Sequence, residues 1–154
     1  MRKYLIVIIG LMTVFSCGNN KNVNIAEVKQ ESSQKAPFVW EGANLYFLLT
    51  DRFNNGDTLN DINFGRTEKT AKLRGFEGGD IKGVIQKIEE GYFTDLGINA
   101  IWMTPIVEQI HGFTDEGTGK TYGFHGYWTK DWTTLDPNFG TKDDLKRLVE
   151  EAHS

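Results

Sequence analysis

The chain has 154 residues, of which 39% are apolar, and this is enough for one modest hydrophobic core. Its 17 Lys and Arg residues stand against 21 Asp and Glu residues, and the resulting net charge of −4 argues against a nucleic-acid partner, which needs a basic face. The single cysteine excludes an internal disulfide.

The amino-terminal residues have the pattern of an export signal. Arg2 and Lys3 precede an apolar run over residues 5–15, which is too short to span a bilayer comfortably, and Ser16 and Cys17 follow it. This order resembles a bacterial lipoprotein signal, in which the cysteine thiol is acylated and becomes the new amino terminus. An ordinary signal peptide, or a short anchor, with a chance cysteine is the alternative.

We therefore expect residues 1–17 to be a lipoprotein-type signal peptide that is lipidated at Cys17. The protein would then be an exported cell-envelope lipoprotein of a bacterium, held by its lipid to the outer membrane or to the periplasmic face of a membrane. Residues 18–36 are polar and predict a flexible tether, so the folded part begins at residue 37.

Two apolar runs in the folded part predict strands. Residues 44–50 form a continuous apolar run, typical of a strand that is buried on both faces, and residues 54–65 form a loop rich in Asn, Asp and Gly. Residues 98–103 predict a second buried strand, which ends at Thr104 and Pro105. A long loop over residues 107–126 is expected after it.

Two helices are predicted from capping residues and apolar periodicity. Asp80 is a good N-cap for a helix whose apolar stripe runs from Ile81 to Leu96, and Gly97 is placed to end it. Thr141 and Asp144 have the spacing of a capping box. The inner face of that second helix is expected to carry Leu145, Leu148, Val149 and Ala152.

The order strand, helix, strand, helix predicts an α/β fold with parallel strands and right-handed crossovers. Two parallel strands do not make a stable open sheet, whereas a closed (β/α)8 TIM barrel needs about 250 residues. We therefore expect residues 37–154 to be the amino-terminal portion of such a barrel, with its first two strands and helices, truncated before strand 3.

Three segments carry a family resemblance. GINAIWMTP at residues 97–105 resembles the second-strand motif of the α-amylase family of glycoside hydrolases (family 13). HGYW at residues 125–128, with Asp131 and FGT at residues 139–141, resembles the segment that follows it, and residues 46–53 look like the first strand. The resemblance implies that residues 37–154 begin an α-amylase catalytic barrel whose active site lies at the carboxyl ends of the strands.

An aromatic loop is the candidate substrate site. The resemblance implies that Tyr127 stacks under the sugar ring of an α-glucan and that His125 lies close by. Judged without the family, Tyr127 as an anchor of its own backbone and His125 as a structural residue are the alternatives. Trp128 and Trp132 are expected to pack against the barrel.

The Asn- and Asp-rich loop is a candidate calcium site, because calcium prefers hard oxygen ligands. Composition alone explains these residues equally well as turn formers, and Asp80 also as a helix cap. The resemblance implies bound Ca²⁺, with the ligands Asn55, Asp57, Asn60, Asp61, the carbonyl of Gly78 and the carboxylate of Asp80.

The family resemblance implies retaining cleavage of α-1,4-glucosidic bonds in starch-like polysaccharide by carboxylates that come from later strands. No catalytic residue is therefore expected within this chain, which alone should be inactive, and four acidic residues are interpreted as structural: Asp131, Asp136, Asp143 and Asp144. The alternatives are a cyclodextrin glucanotransferase-like transglycosylase, a catalytically inactive glucan-binding lipoprotein, or the product of a truncated gene.

Overall fold

The structure, a computed structural model, describes residues 37–154, so the predicted signal peptide with Cys17 and the predicted tether lie outside the described residues. Single-turn 3₁₀ helices lie at Trp40–Gly42 and Thr58–Asn60. The helices and strands are, in chain order, β1 (Leu45–Leu48), α1 (Thr50–Phe53), α2 (Ile81–Glu89), α3 (Tyr92–Asp95), β2 (Ala100–Met103), β3 (Val107–Gln109), β4 (Thr114–Asp115), β5 (Lys120–Thr121), β6 (Thr129–Leu135) and α4 (Lys142–His153). None of the helices in this part of the chain has the length and apolar content that a bilayer span requires.

The two predicted strands pair in parallel, as the alternation of strands and helices required. Leu45 lies opposite Ala100 and Leu48 opposite Met103, so β1 and β2 end at the same edge. The carbonyl of Asn44 accepts the backbone amide of Ala100 and fixes the start of this register. The α/β class and the parallel pair are confirmed, while the number of strands in the whole barrel stays a prediction.

One face of the β1–β2 pair forms the core with α2 and α4. The buried members of this core are Leu48, Ile81, Val84, Ile85, Phe93 and Leu148. On the opposite face, Phe47 and Trp102 are 53% and 57% exposed, and their rings meet edge to face at 5.6 Å. The prediction that both faces are buried is therefore wrong for the described residues, because helices cover only one side of the strands.

The long helix predicted between Ile81 and Leu96 is broken. Gly91 has a left-handed φ of 79°, which interrupts the helical ladder and divides the segment into α2 and α3. Leu96 follows the second piece and is exposed, although the periodic stripe placed it inside. The first predicted strand also ends early, because α1 begins at Thr50.

The predicted loop over residues 107–126 contains short strands. Strand β3 pairs antiparallel with β6, with two register shifts, and β4 and β5 form a small hairpin. These strands are short or irregular and largely polar, so they lack the periodicity that marks a strand in a sequence.

The capping box of α4 is confirmed. The side chain of Thr141 accepts the backbone amide of Asp144, and the Asp144 carboxylate accepts the backbone amide of Thr141. Leu148 is buried on the inner face as predicted, whereas Val149 is exposed.

Candidate functional site

The carboxyl ends of β1 and β2 are joined by two buried threonines. The backbone amide of Thr50 donates to Thr104 Oγ1 at 3.1 Å, and the two hydroxyls lie 3.2 Å apart. Just beyond, Gly126 packs onto the carbonyl of Pro105 so tightly that a Cβ would overlap the oxygen, and its φ is +86°. The segment that carries His125 and Tyr127 is therefore fixed against the carboxyl end of β2.

An aromatic corner, defined here as Phe124, His125, Tyr127 and Trp128, occupies this edge. The rings of His125 and Tyr127 are stacked with centroids 5.9 Å apart, and Trp128 meets His125 edge-on at 4.7 Å. Tyr127 is 59% exposed. The structure thus brings the two predicted substrate residues together and leaves the tyrosine ring accessible to a ligand.

The protonation of His125 is set by its neighbours. Its Nδ1 accepts the backbone amide of Tyr127 at 3.0 Å, which assigns the ring proton to Nε2. Burial lowers the pKa of His125 below its ordinary 6.5, opposed by the charge of Glu116 and reinforced by that of Arg74. The neutral ring is therefore the form that supports the corner.

Two side chains that sequence reasoning missed hold the corner from behind. Gln109 is fully buried, and its Oε1 accepts the backbone amide of Trp128 at 2.8 Å. The guanidinium of Arg52 lies 4.0 Å from the centre of the Phe124 ring while donating to the carbonyl of Gly75 at 2.8 Å. No local sequence pattern marks these roles, because Trp128 is distant in sequence from Gln109, and Phe124 and Gly75 are distant from Arg52.

The residues of the predicted calcium site converge, with one exception. Asn55 Nδ2 donates to Asp61 Oδ1 at 2.8 Å, and Asn60 Nδ2 donates to Asp80 Oδ2 at 2.9 Å. A Cβ at Gly78 would lie 2.6 Å from Asp61 Oδ1, and the backbone φ of Gly78 is +94°. Both the close approach and the left-handed backbone therefore require glycine at this position. We call Asn55, Asn60, Asp61, Gly78 and Asp80 the calcium loop.

The carboxylate of Asp57 is directed elsewhere. Its Oδ2 accepts Lys82 Nζ at 2.6 Å, and its Oδ1 accepts the backbone amide of Leu59 at 3.0 Å. The hydrogen bond from Lys82 lowers the pKa of Asp57 below its ordinary 3.8. Asp57 contacts the calcium loop through its backbone instead: its amide donates to Asn55 Oδ1 at 3.1 Å, and its carbonyl accepts the backbone amide of Asn60 at 3.1 Å.

The chemistry of the calcium loop suits a hard cation. Asn60 Oδ1 is buried and has no hydrogen-bond partner, which is the condition of an amide oxygen available to a metal. Within residues 37–154, no three His, Cys, Asp or Glu side chains form a metal-holding group by themselves, so amide and carbonyl oxygens have to complete the set. The residues fit calcium by type, and the site stays a prediction.

Asp51, in α1, supports the calcium loop. Its carboxylate is buried, pairs with Arg52, and accepts the backbone amides of Glu77 at 3.0 Å and of Gly78 at 3.3 Å. Burial raises the pKa of Asp51 to about 6. Its backbone donors lie 26 and 27 positions away, so no local pattern marks this role of Asp51.

The acidic residues that were interpreted as structural include clear examples of that role. Asp131 accepts the amide of Thr133 at 2.7 Å, and Asp136 pairs with Arg66 in the interior. Trp128 meets His125 edge-on, and Trp132 is 74% exposed on β6. The expectation that both tryptophans pack against the barrel stays a prediction, because the described residues include only two parallel strands.

Comparisons with known proteins point to one family. The sequence profile of the alpha amylase catalytic domain matches residues 47–154. The chain is 45% identical to the periplasmic alpha-amylase of Escherichia coli K12 over 129 residues, which covers 81% of this chain and 19% of that protein. It is 32% identical to the cyclomaltodextrin glucanotransferase of Geobacillus stearothermophilus, covering 100% of this chain and 22% of that protein.

A solved structure agrees. The alpha-amylase of Geobacillus thermoleovorans, crystallised with acarbose, superposes with a TM-score of 0.55 at 38% identity, covering 76% of this chain and 21% of that one. The chain thus spans about a fifth of the length of the curated relatives it matches.

Proposed function

Because the chain belongs to the alpha-amylase catalytic-domain family, we propose that it forms the amino-terminal part of a (β/α)8 barrel enzyme. This enzyme hydrolyses α-1,4-glucosidic bonds of starch-like α-glucans with retention. Its cleaving carboxylates come from later strands, and the present residues supply the first part of the substrate face.

The exposed ring of Tyr127 at the carboxyl edge of β1 and β2 is the observation that carries this proposal. A flat ring there suits the apolar face of a pyranose, and the carboxyl edge is where barrels of this type bind substrate. The acarbose complex of the Geobacillus thermoleovorans relative supports an oligosaccharide as the ligand of His125 and Tyr127.

The uncovered face of the β1–β2 pair supports the larger barrel. Parallel sheets are normally covered on both faces, yet Phe47 and Trp102 are exposed here. Further strands of the same barrel would bury these rings, which is consistent with the fraction of its relatives that the chain spans.

Calcium is proposed as a structural ion of the full-length protein. Asn55, Asn60, Asp61, Gly78 and Asp80 would hold it, with Asp57 joining if its carboxylate left Lys82. Bound calcium would neutralise the clustered carboxylates and stiffen the loop that follows β1. The unpartnered oxygen of Asn60 is the main support.

Export to the cell envelope is also proposed. The periplasmic relative in Escherichia coli supports passage through the inner membrane, and the residues around Cys17 support a lipid anchor.

The second candidate activity is transglycosylation to cyclic products, which is favoured by the glucanotransferase relative that matches the whole chain.

The test is an assay of the full-length protein on soluble starch, with product anomers followed by NMR. We expect retained α-configured linear products, and a drop in kcat/KM of at least about tenfold for Tyr127→Ala, as for other truncated aromatic anchors. Trp132→Ala, a matched exposed aromatic on β6, should leave kcat/KM unchanged. Cyclic products would favour the transglycosylase, binding without cleavage the inactive glucan binder, and neither binding nor cleavage would contradict the proposal.

A further inference from the structure

A buried polar cluster lies between the calcium loop and the aromatic corner. Its four side chains are Arg66, Gln109, Asp136 and Asn138, with exposures from 0% to 7%. We infer that this cluster is a positioning bridge that holds the calcium loop and the aromatic corner in one arrangement, so that metal binding strengthens oligosaccharide binding. The inference rests on the proposed function.

One end of the bridge holds the backbone of the calcium loop. Asn138 Nδ2 donates to the carbonyls of Asn60 and Asp61 at 3.1 and 2.6 Å. These two residues contribute candidate metal ligands, so the direction of their side chains depends on the backbone that Asn138 holds. Asn138 Oδ1 in turn accepts Arg66 Nη1 at 2.6 Å.

The centre is a buried ion pair with fixed geometry. Arg66 donates to both carboxylate oxygens of Asp136, at 2.8 and 2.7 Å. In other proteins, apolar side chains often replace a buried ion pair without loss of stability, whereas a fork of directional bonds fixes the positions of its partners. The geometry therefore suits positioning better than simple core filling.

The other end reaches the aromatic corner. The backbone amide of Gln109 donates to Asp136 Oδ2 at 3.0 Å, and Arg66 Nη2 donates to the Gln109 carbonyl at 3.2 Å. The side-chain Oε1 of Gln109 then accepts the amide of Trp128, next to Tyr127. A continuous chain of hydrogen bonds thus joins the carbonyl of Asp61 to the backbone beside the proposed sugar-binding ring.

The experiment measures the affinity of the full-length protein for acarbose by calorimetry, with calcium and after its removal. We expect removal to weaken wild-type binding at least about fivefold, the lower range of measured couplings between sites. Gln109→Met removes the acceptor for Trp128 and leaves the calcium loop untouched. Its acarbose affinity should be lower in calcium and should no longer change when calcium is removed.

Two controls separate the bridge from general damage. Gln86→Met, the same substitution on the exposed side of α2, should keep the full calcium dependence. Asp61→Ala, which removes a loop carboxylate, should abolish it. Terbium luminescence reads the metal site without sugar: Gln109→Met should keep wild-type metal affinity, and Asn138→Leu should lower it about tenfold or more, as loss of a residue supporting metal ligands does.

Several results would overturn the inference. The first is a wild-type acarbose affinity that does not change when calcium is removed. The second is a Gln109→Met variant whose affinity keeps the full calcium dependence. The third is a calcium dependence that persists in Asp61→Ala, which would mean that the effect runs through a different metal site. If Gln109→Met does not fold, Arg66→Lys replaces it, since lysine keeps the charge but cannot make the fork, and it should lose the dependence in the same way. A wild-type protein that binds no metal would overturn the inference and the proposed calcium site but not the proposed hydrolase, whose own test is the starch assay; one that binds no acarbose would overturn the inference and the proposed oligosaccharide ligand of Tyr127.

Discussion

Replacing Gly126 by alanine tests how the aromatic corner is held. The φ of +86° costs a residue with a Cβ roughly 1–2 kcal/mol. The new Cβ would also overlap the Pro105 oxygen and lie 3.1 Å from its carbonyl carbon and its nitrogen. Backbone atoms cannot move aside cheaply, and such overpacking adds roughly 1–3 kcal/mol. We expect Gly126→Ala to lower the free energy of unfolding by about 2–5 kcal/mol.

Gly117→Ala is the matched control for this substitution. Gly117 has a nearly identical φ of +84°, but nothing lies within 4 Å of its Cβ position, so it carries the conformational cost without the overlap. Urea unfolding followed by tryptophan fluorescence compares the two variants, and calorimetry compares their acarbose affinities. Only Gly126→Ala should weaken acarbose binding, because the overlap displaces Tyr127. Equal destabilisation by both substitutions would refute the argument that Gly126 is seated against Pro105.

Three further predictions concern the interior, α4 and pH. Arg66→Met leaves Asp136 buried without its charged partner and should lower the free energy of unfolding in urea by roughly 3–5 kcal/mol. The double variant Arg66→Met/Asp136→Leu should largely restore the stability. A loss below about 1 kcal/mol in the single variant would contradict the bridge geometry. Thr141→Ala removes the N-cap hydroxyl of α4 and should cost about 1 kcal/mol in the same assay, and an unchanged midpoint would mean that the capping box contributes nothing. Since burial favours neutral His125, the stability it contributes is complete above the ordinary pKa of 6.5 and is lost as pH falls through the lowered folded pKa. Protonation of His125 Nδ1 also breaks its hydrogen bond from the Tyr127 amide, so acarbose affinity should be flat above pH 6.5 and weaken only below it. His125→Gln should lack this step, and weakening that begins above pH 6.5 would contradict the assignment.

Features that depend on local patterns were predictable from the sequence. The two parallel strands follow from continuous apolar runs separated by a helical segment, and the capping box of α4 follows from the spacing of Thr141 and Asp144. The juxtaposition of His125 and Tyr127 was implied by the family resemblance, and the structure shows their rings stacked.

Features that depend on distant partners were not predictable. Arg66 and Asp136 are 70 positions apart, and neither stands out from the other charged residues of a chain that has 25% of them. The break at Gly91 was missed because the apolar stripe continues across it, although the left-handed φ interrupts the helix. Lys82 competes for Asp57 from the first turn of α2, a contact that composition cannot reveal.

A crystal structure of the full-length protein with maltotriose would show whether Tyr127 lies under a bound sugar ring. We expect β1 and β2 to be neighbouring strands of a closed barrel, and a glucose ring to pack its face on Tyr127 at about 4 Å, with His125 beside it. A sugar bound elsewhere, with Tyr127 covered by other parts of the chain or left in solvent, would refute the assignment of Tyr127 as the sugar-binding ring.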